Sequence, residues 1–373
     1  MSVTTAVSVG QPEVLVPGPA SAPVPVVHES NNNLDAIDHE GRRYLAWRTS
    51  PTHFASTEAL LHVVSTGDGQ TWRHDHTVQL GRDVREPRFF VHDSSLFLYF
   101  FTLGTDWRRF EPDRIHVCRL GDDGWTDPLA ISAPDCVVWR VRRLGDRPIM
   151  TVYRGAGQLY GRDPVPTTVE FWTTGDGFDW SPVDIDNPTV HVGGTETEVV
   201  PHPDRGWIAV TRKEGPAGFG SDIAHLETLE SRDWRIKTVP QKLDSPYLFR
   251  HGRQVLLVAR RTLDFDGAYD LGLPGISDEM RTKIYHRVYW STPKRTALWS
   301  IDPDSLELSH ITDLAGKGDS CFPSVIDEGG GRFTVFNYTS PLAGPDLPWI
   351  AGQLGPTEIY QVQLDLTEIV PVA

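Results

Sequence analysis

The chain repeats one sequence pattern six times, and this repetition restricts the possible folds more than any other feature. Each copy reads as a short strand, a polar turn and a second strand of alternating apolar residues that usually ends in arginine. The copies are Asn33–Arg48, Arg85–Phe101, Val138–Arg154, Glu196–Arg212, Ser245–Arg261 and Asp319–Tyr338. Such a chain is expected to build one small sheet per copy, at intervals of about 50 to 75 residues.

A second hairpin signal follows several copies. Asp-Gly lies between β-rich runs at Asp68–Gly69 and at Asp176–Gly177, and this dipeptide favours tight turns because both residues tolerate positive φ. Shorter versions occur at 122–125 and 230–234. With two strand pairs per copy, the sequence predicts an all-β fold, a six-bladed β-propeller. A five-bladed propeller and two stacked β-sandwich domains are the alternatives.

The predicted propeller is a single domain over residues 1–373. A proline-rich segment from about 11 to 28 is expected to form an N-terminal strand that closes the ring beside the last repeat, near 358–364. An insertion in the fifth copy, from about 262 to 283, predicts a rim loop with one helical turn. The chain has 33 glycines and 29 prolines among its 373 residues, a larger combined share than the usual value of about 12%, and this agrees with many turns.

Charge and cysteine content exclude several classes of protein. A net charge of −15 disfavours binding to a nucleic-acid backbone or to an anionic membrane surface. Cys118, Cys136 and Cys321 lack the spacing of a disulfide framework or a zinc site, and the histidines lack metal-ligand spacing. We therefore expect no metal and no cofactor. Without a secretory signal or an apolar run of about 18 residues, the sequence predicts a cytoplasmic protein.

Two turns resemble the Asp-boxes of the sialidase-like six-bladed β-propellers. Ser65–Trp72 reads STGDGQTW and Thr173–Trp180 reads TTGDGFDW, with one residue fewer between the aspartate and the second glycine than the usual motif has. Asp-boxes lie on the outer rim of such propellers. This resemblance therefore implies the architecture rather than the chemistry.

One copy is also similar to a chemically important blade of that family. Glu196 begins one strand and Arg212 ends the next, as in the sialidase blade whose glutamate polarises a catalytic tyrosine and whose arginine binds the substrate carboxylate. Phe322 stands where the family has its nucleophilic tyrosine, and Asn32–Asp35 replaces its Phe-Arg-Ile-Pro segment. The resemblance implies a glycoside hydrolase-like protein without the tyrosine nucleophile.

The inner strands of a propeller begin at the same face of its central channel, so residues at these positions meet although they are distant in sequence. Glycoside hydrolysis needs two carboxyl groups, one as acid and one as base or nucleophile. We predict Glu196 and Asp319 as the catalytic carboxylates, with Asp35 and Glu86 as the other candidates. Carboxylates gathered in one channel also raise the pKa of at least one of them.

Arginines and aromatic residues accompany these acids. Guanidinium groups bind acidic sugars through paired hydrogen bonds, and aromatic rings stack on sugar faces. The predicted substrate-binding residues are Arg212, Arg154, Arg261, Arg140, Arg88, Trp139, Tyr153, Phe322 and Tyr338. For each arginine and for Glu86 the structural alternative is an ion pair, and for Asp319 it is a turn cap.

The pattern leaves three functions open. The first is a glycoside hydrolase that acts on a small carbohydrate. The second is a uronate lyase, in which Tyr153, Tyr247 or Tyr338 would be the base and an arginine would neutralise the uronate. The third is a propeller that binds a sugar or a protein without catalysis.

Overall fold

The computed structural model contains six β-sheets that form the blades of a β-propeller, and this confirms the fold predicted from the repeats. It describes residues 4–159, 165–214 and 218–369. Neighbouring strands within a blade pair antiparallel. The first strands of adjacent blades contact one another around the central axis. The five-bladed and two-sandwich alternatives are therefore wrong.

The chain begins with β1 (Thr4–Val9) and β2 (Glu13–Val16), which belong to blade 6. Blade 1 comprises β3 (Ser30–His39), β4 (Arg42–Ser50), β5 (Leu60–Thr66) and β6 (Trp72–Val78). Blade 2 comprises β7 (Val84–His92), β8 (Ser95–Leu103), β9 (Pro112–Gly121), β10 (Gly124–Trp125) and β11 (Leu129–Ala130). Blade 3 comprises β12 (Cys136–Leu144), β13 (Arg147–Arg154), β14 (Thr168–Thr174), β15 (Trp180–Pro182) and β16 (Thr189–Val192). Blade 4 comprises β17 (Gly194–Pro201), β18 (Trp207–Lys213), β19 (Ser221–Leu226) and β20 (Arg235–Val239). Blade 5 comprises β21 (Tyr247–His251), β22 (Gln254–Thr262), β23 (Lys294–Ile301) and β24 (Leu308–Leu314). Blade 6 comprises β25 (Ser324–Gly329), β26 (Arg332–Thr339) and β27 (Glu358–Ile369), together with β1 and β2.

The two ends of the chain meet in blade 6. Strand β27 pairs with β26 on one side and with both β1 and β2 on the other. Strand β2 lies within the segment from about 11 to 28 for which the sequence predicts a closing strand. Main-chain hydrogen bonds therefore hold the last blade to the start of the chain, and the ring is closed.

Apolar residues between the blades form the core. Strand β8 is buried from Leu96 to Leu103 because a blade has a neighbouring blade against each of its faces. Large side chains such as Trp47 and Phe171 are fully buried in this way. This packing explains why β8 reads as a nearly continuous apolar run rather than as the alternation expected for the repeated strands.

Two short helices interrupt the blades. Helix α1 (Asp278–Ser291) lies in the insertion between β22 and β23, and α2 (Trp349–Gly352) lies between β26 and β27. Helix α1 is longer than the single turn predicted, because the Ser277 side chain caps its first turn and Tyr285 is buried in a separate aromatic cluster. Neither of these described helices is long and apolar enough to cross a membrane.

The two Asp-box turns have the same hydrogen bonds. In blade 1 the Asp68 carboxylate accepts from the backbone N–H groups of Gln70 and Thr71, at 2.9 and 2.7 Å. In blade 3 the Asp176 carboxylate accepts from those of Phe178 and Asp179, both at 2.8 Å. These bonds hold the pKa of Asp176 below its usual range. The aspartate therefore acts as the cap of an exposed local turn.

We expect Asp176→Ala to lower the Tm by about 2 °C, since it removes two charge-assisted hydrogen bonds from an exposed turn. Differential scanning calorimetry measures this shift. Asp179→Ala is the matched control, because the Asp179 side chain is exposed in the same turn. Equal Tm values for the two variants would contradict the capping role.

Candidate functional site

A cavity of about 650 Å³ opens at one face of the propeller, and we call it the pocket. Every blade contributes to its lining. Its lining includes the charged, polar and aromatic residues Asn33, His53, Arg85, Glu86, Trp107, Tyr153, Glu196, Arg212, Glu214, Lys242, Asp244, Arg260, Trp290, Phe322, Tyr338 and Trp349. A second cavity of about 260 Å³, lined by Asp35, Arg140 and Tyr247 among others, is formed by residues further along the same inner strands.

The inner strands are irregular where they reach the pocket. Asn33, Glu86, Ser245 and Cys321 all have positive φ, between 41° and 82°, which is unusual for residues other than glycine. The pairing of β3 and β7 with their neighbours also breaks at Asn33 and Glu86. Such bulges redirect a side chain and cluster at functional sites. Four blades thus have such a strained position where their inner strands reach the pocket.

Glu86 is a buried acid with no counter-ion in contact among the residues that the structure describes. Its side chain lines the pocket, the residue is only 7% exposed, and its Oε2 has no hydrogen-bond partner among the described residues. Burial raises the pKa of Glu86 to about 7, although Arg88 opposes the shift, and Glu196 adds to it. Glu86 is therefore substantially protonated near neutral pH.

Glu196 faces the same pocket from blade 4 in a different environment. Its Oε1 lies 2.7 Å from Arg212 Nη1, and its Oε2 accepts a hydrogen bond from the Ser245 backbone N–H at 2.6 Å. Burial raises the pKa of Glu196, and Arg212 opposes that rise. Among the described residues, Glu196 therefore has a cation in contact and Glu86 has none.

Further ion pairs surround Glu196. Lys242 lies 2.7 Å from Glu214, Arg260 lies 3.1 Å from Asp244, and Arg212 lies within 3.7 Å of both acids. Burial alone would raise the pKa of Glu214, but Lys242 and Arg212 outweigh it and hold that pKa well below its usual range. Each of these carboxylates is therefore ionised and paired, as buried charges require.

Asp319 lies directly behind the pocket wall and is completely buried. Its Oδ2 lies 2.7 Å from His53 Nδ1, and its Oδ1 accepts from the Tyr338 hydroxyl at 2.9 Å and from Trp349 Nε1 at 3.2 Å. Burial opposes ionisation of Asp319, but His53 and its other donors lower the pKa. Asp319 therefore positions pocket side chains and does not itself line the pocket.

Two rim segments carry exposed tryptophans. The loop between β8 and β9 brings in Trp107, which is 58% exposed, and α1 ends near Trp290, which is 41% exposed. Helix α1 is held to the pocket by Tyr289, whose hydroxyl donates to Asp244, and by His286, 2.9 Å from Glu214. The insertion thus joins the charged cluster directly.

The structure brings together only part of the predicted site. Glu196, Glu86, Arg212, Tyr153, Phe322 and Tyr338 line the pocket, and Asp319 lies directly behind it. Tyr338 donates its hydroxyl proton to Asp319, and burial and that carboxylate raise its pKa well above the usual range. Tyr338 therefore retains its proton, which is unfavourable for the base of a lyase.

Asp35 and Arg140 lie in the second cavity, on the same inner strands but closer to the other face. Arg140 Nε lies 2.7 Å from Glu198, and Asp35 accepts from the Phe89 N–H at 2.8 Å and from Ser324 at 2.7 Å. Tyr247 also lines this cavity. A shift of two or three residues along an extended strand moves a side chain by about 7 to 10 Å, which separates these groups from the pocket.

Arg88 and Trp139 lie inside the channel and line neither cavity. The Arg88 guanidinium is fully buried, 4.3 Å from the centroid of the Phe322 ring and 4.7 Å from that of Trp139. Burial lowers the pKa of Arg88 to about 9, and Arg140 adds to this effect. The stack closes the channel below the pocket through cation–π contacts rather than through hydrogen bonds.

Arg154 and Arg261 are placed away from the pocket. Arg154 lies 3.8 Å from Glu170, and Arg261 forms a bidentate pair with Asp313 at 3.0 and 2.7 Å. Because side chains alternate along β22, the neighbouring Arg260 points to the pocket instead. Arg154 and Arg261, which were predicted to bind substrate, therefore lie in ion pairs, the alternative considered for each arginine.

Several pocket residues were not among the predicted site residues. His53, Glu214 and Lys242 belong to segments that follow or precede the repeated strands. His53 was detectable in principle, because it follows the Arg48 strand end by five residues and loops after such strands open on the same face. No cluster of His, Cys, Asp and Glu side chains in the described ranges is arranged to hold a metal ion.

The fold is that of the sialidase-like six-bladed β-propellers, as the Asp-boxes indicated. A protein of unknown function from Dyadobacter fermentans superposes with a TM-score of 0.60 at 16% identity, over 92% of this chain and 97% of that one. Trypanosoma rangeli sialidase in complex with the inhibitor DANA superposes with a TM-score of 0.60 at 13% identity, over 91% of this chain.

The Hadza microbial sialidase Hz136 superposes with a TM-score of 0.53 at 11% identity, over 92% of this chain and 66% of that one. This chain spans 55% of the length of the Trypanosoma sialidase. No family model matches the sequence, and no curated protein is similar to it. At such low identities the likeness defines the fold alone.

Proposed function

We propose that the pocket hydrolyses glycosides of small acidic carbohydrates, with Glu86 as the general acid. The observation that carries this proposal is the contrast between two carboxyl groups in one pocket. Glu86 is buried with no cation in contact in the described part of the chain, and its pKa is raised to about 7, whereas Glu196 is held by Arg212. Pairs of acids with opposed environments are typical of glycosidases.

In the proposed reaction Glu86 donates its proton to the glycosidic oxygen as the bond to the anomeric carbon breaks. Positive charge then develops on the sugar ring. Glu196, paired with Arg212, is the group that stabilises this charge, because Arg212 and the Ser245 N–H keep it oriented before the reaction begins.

The cations of the pocket favour an acidic sugar. Arg85, Arg212 and Lys242 line it together, and guanidinium groups pair with carboxylates in a bidentate manner. Rim tryptophans Trp107 and Trp290 offer apolar faces to a sugar ring or to an aglycone. The sialidase fold agrees with this substrate class, but Phe322 supplies no hydroxyl for a tyrosine nucleophile.

The test is a panel of 4-methylumbelliferyl glycosides that includes a sialoside, a glucuronide and neutral hexosides. We expect fluorescence to be released from at least one acidic glycoside, and faster than from the neutral ones. Replacement of Arg212 by Met removes one cation of the pocket and is expected to raise KM for the acidic substrate. A preference for neutral glycosides would contradict the proposed substrate class.

Two other results would replace this proposal. Unsaturated products from oligouronates, detected by ultraviolet absorbance, would indicate a lyase. Calorimetric binding of acidic sugars without turnover of any panel member would indicate a non-catalytic binding propeller.

A further inference from the structure

The proposed reaction needs a group that takes a proton from the attacking water, and the paired acids are poorly placed for this. Both oxygens of Glu196 are already engaged, one in the ion pair with Arg212 and the other by a hydrogen bond from the Ser245 N–H. Glu214 and Asp244 are engaged by Lys242 and Arg260. Carboxylates held in this way are weak bases. The proton acceptor must therefore be sought elsewhere in the lining.

His53 has the geometry of an oriented base. Its Nδ1 lies 2.7 Å from Asp319 Oδ2 and 3.4 Å from Asn32 Nδ2. The shorter, charge-assisted contact decides the tautomer, so Nδ1 carries the proton and donates it to Asp319. Nε2 is then left with a lone pair on a residue that lines the pocket.

The loop that carries His53 is fixed by unusually costly contacts. Arg48 donates to the Phe54 carbonyl at 2.9 Å and Arg85 donates to the His53 carbonyl, and both guanidinium groups pair with the buried Asp83 carboxylate, at 2.7 and 2.8 Å. Burial of two guanidinium groups is unfavourable unless partners compensate for the lost hydration, and here Asp83 and the loop carbonyls are those partners. The His53 loop is therefore held in one position by buried charged groups.

We propose that His53 is the general base of the pocket and that Asp319 is its positioning residue. This inference rests on the proposed function. Nε2 accepts a proton from water, the water oxygen forms a bond to the anomeric carbon, the bond from that carbon to the leaving oxygen breaks, and the Glu86 proton passes to that oxygen. The products are the free sugar and the free alcohol, and solvent returns a proton from His53 to Glu86.

This scheme predicts the stereochemistry, because direct attack by water without a covalent intermediate inverts the anomeric carbon. It also requires a neutral His53. The charged and titratable groups facing it are Asp319 from blade 6, Arg48 from β4, Arg85 from β7 and Tyr338 from β26. Burial outweighs Asp319 and lowers the pKa of His53, so the base form is present at neutral pH.

The test compares His53→Gln and Asp319→Asn with His74→Gln, an exposed histidine on blade 1, using the substrate found with the panel. We expect kcat to fall about 10²- to 10⁴-fold in the first two variants with little change in KM, and to stay unchanged in the third. Azide needs no base, so it should restore turnover in His53→Gln and give a glycosyl azide of inverted configuration. Azide should not restore turnover in Glu86→Gln, because it does not replace the proton that Glu86 gives to the leaving oxygen.

Wild-type turnover that persists in His53→Gln, or retention of configuration, would overturn the inference while leaving the proposed function in place. Absence of wild-type turnover on the whole panel would overturn the proposed function itself. A second measurement covers the case in which Asp319→Asn fails to fold. Nitrogen-15 spectra of the wild-type histidines should show His53 protonated at Nδ1 alone at pH 7, and a proton on Nε2 would contradict the assigned role.

Discussion

Glu86→Gln is expected to reduce kcat about 10³-fold at pH 6 while leaving substrate affinity nearly unchanged. The amide has the shape of the protonated carboxyl group, so the pocket keeps its form and loses only the transferable proton. The loss should be larger for an alkyl glycoside than for a 4-methylumbelliferyl glycoside, since a better leaving group needs less protonation. Steady-state kinetics on one substrate of each kind measures this difference.

Glu58→Gln is the matched control, because Glu58 is an exposed glutamate outside the pocket. It should keep full activity with both substrates. Equal losses for alkyl and aryl substrates in Glu86→Gln would show that Glu86 does not act on the leaving group.

The same substitution is expected to change how stability depends on pH. Between pH 4.5 and about 7 the unfolded chain releases the Glu86 proton while the folded protein retains it, because burial raises the folded pKa to about 7 from 4.5. The wild type is therefore favoured at low pH and loses this contribution as pH rises through that window. Above pH 7 the loss in the free energy of unfolding is about 3 kcal/mol, and Glu86→Gln does not undergo this loss because glutamine does not titrate.

Urea unfolding of both proteins at pH 4.5, 6 and 8 measures this effect. The free energies of unfolding should agree at pH 4.5 or below, and Glu86→Gln should be more stable at pH 8. Glu58→Gln should follow the wild type within about 0.5 kcal/mol at each pH. A constant difference between wild type and Glu86→Gln would contradict a titrating Glu86.

The blades could be predicted from sequence because each is built from local hairpins. Asp68–Gly69 and Asp176–Gly177 mark turns by their conformational preference, and the structure has the same capped turn at both. The repeat also marked the inner strand that carries Glu196, which is β17 (Gly194–Pro201). Periodic strands and tight turns depend on neighbours in sequence, which is why this part of the prediction succeeded.

The register of each inner strand could not be predicted in the same way. Asn33 reaches the pocket in blade 1, whereas Asp35, two residues later, lies in the second cavity. Bulges with positive φ set these positions, and they depend on contacts between blades rather than on local preference. The side chains of β22 also alternate between its two faces, and this brings Arg260 rather than Arg261 to the pocket. The sequence alone did not show which of the two arginines would face it.

Loop residues were the other part that the sequence left open. His53 and Trp290 lie in connections whose path is fixed by tertiary contacts, such as Arg48 with the Phe54 carbonyl and Tyr289 with Asp244. The distance of His53 from the strand end at Arg48 is a signal of its placement, whereas nothing in the local sequence marks Trp290. The residues that line this pocket come from all six blades, so only three-dimensional placement relates them.

The most direct test of the account is the titration of the Glu86 carboxyl group, followed by carbon-13 NMR of protein labelled at the glutamate side-chain carboxyls, with Glu86→Gln to identify the resonance. The account predicts one resonance with a midpoint near pH 7 that is missing from the variant. If the resonance lost in the variant titrates near pH 4.5, the pocket holds no protonated acid at neutral pH, and the proposed hydrolysis is contradicted.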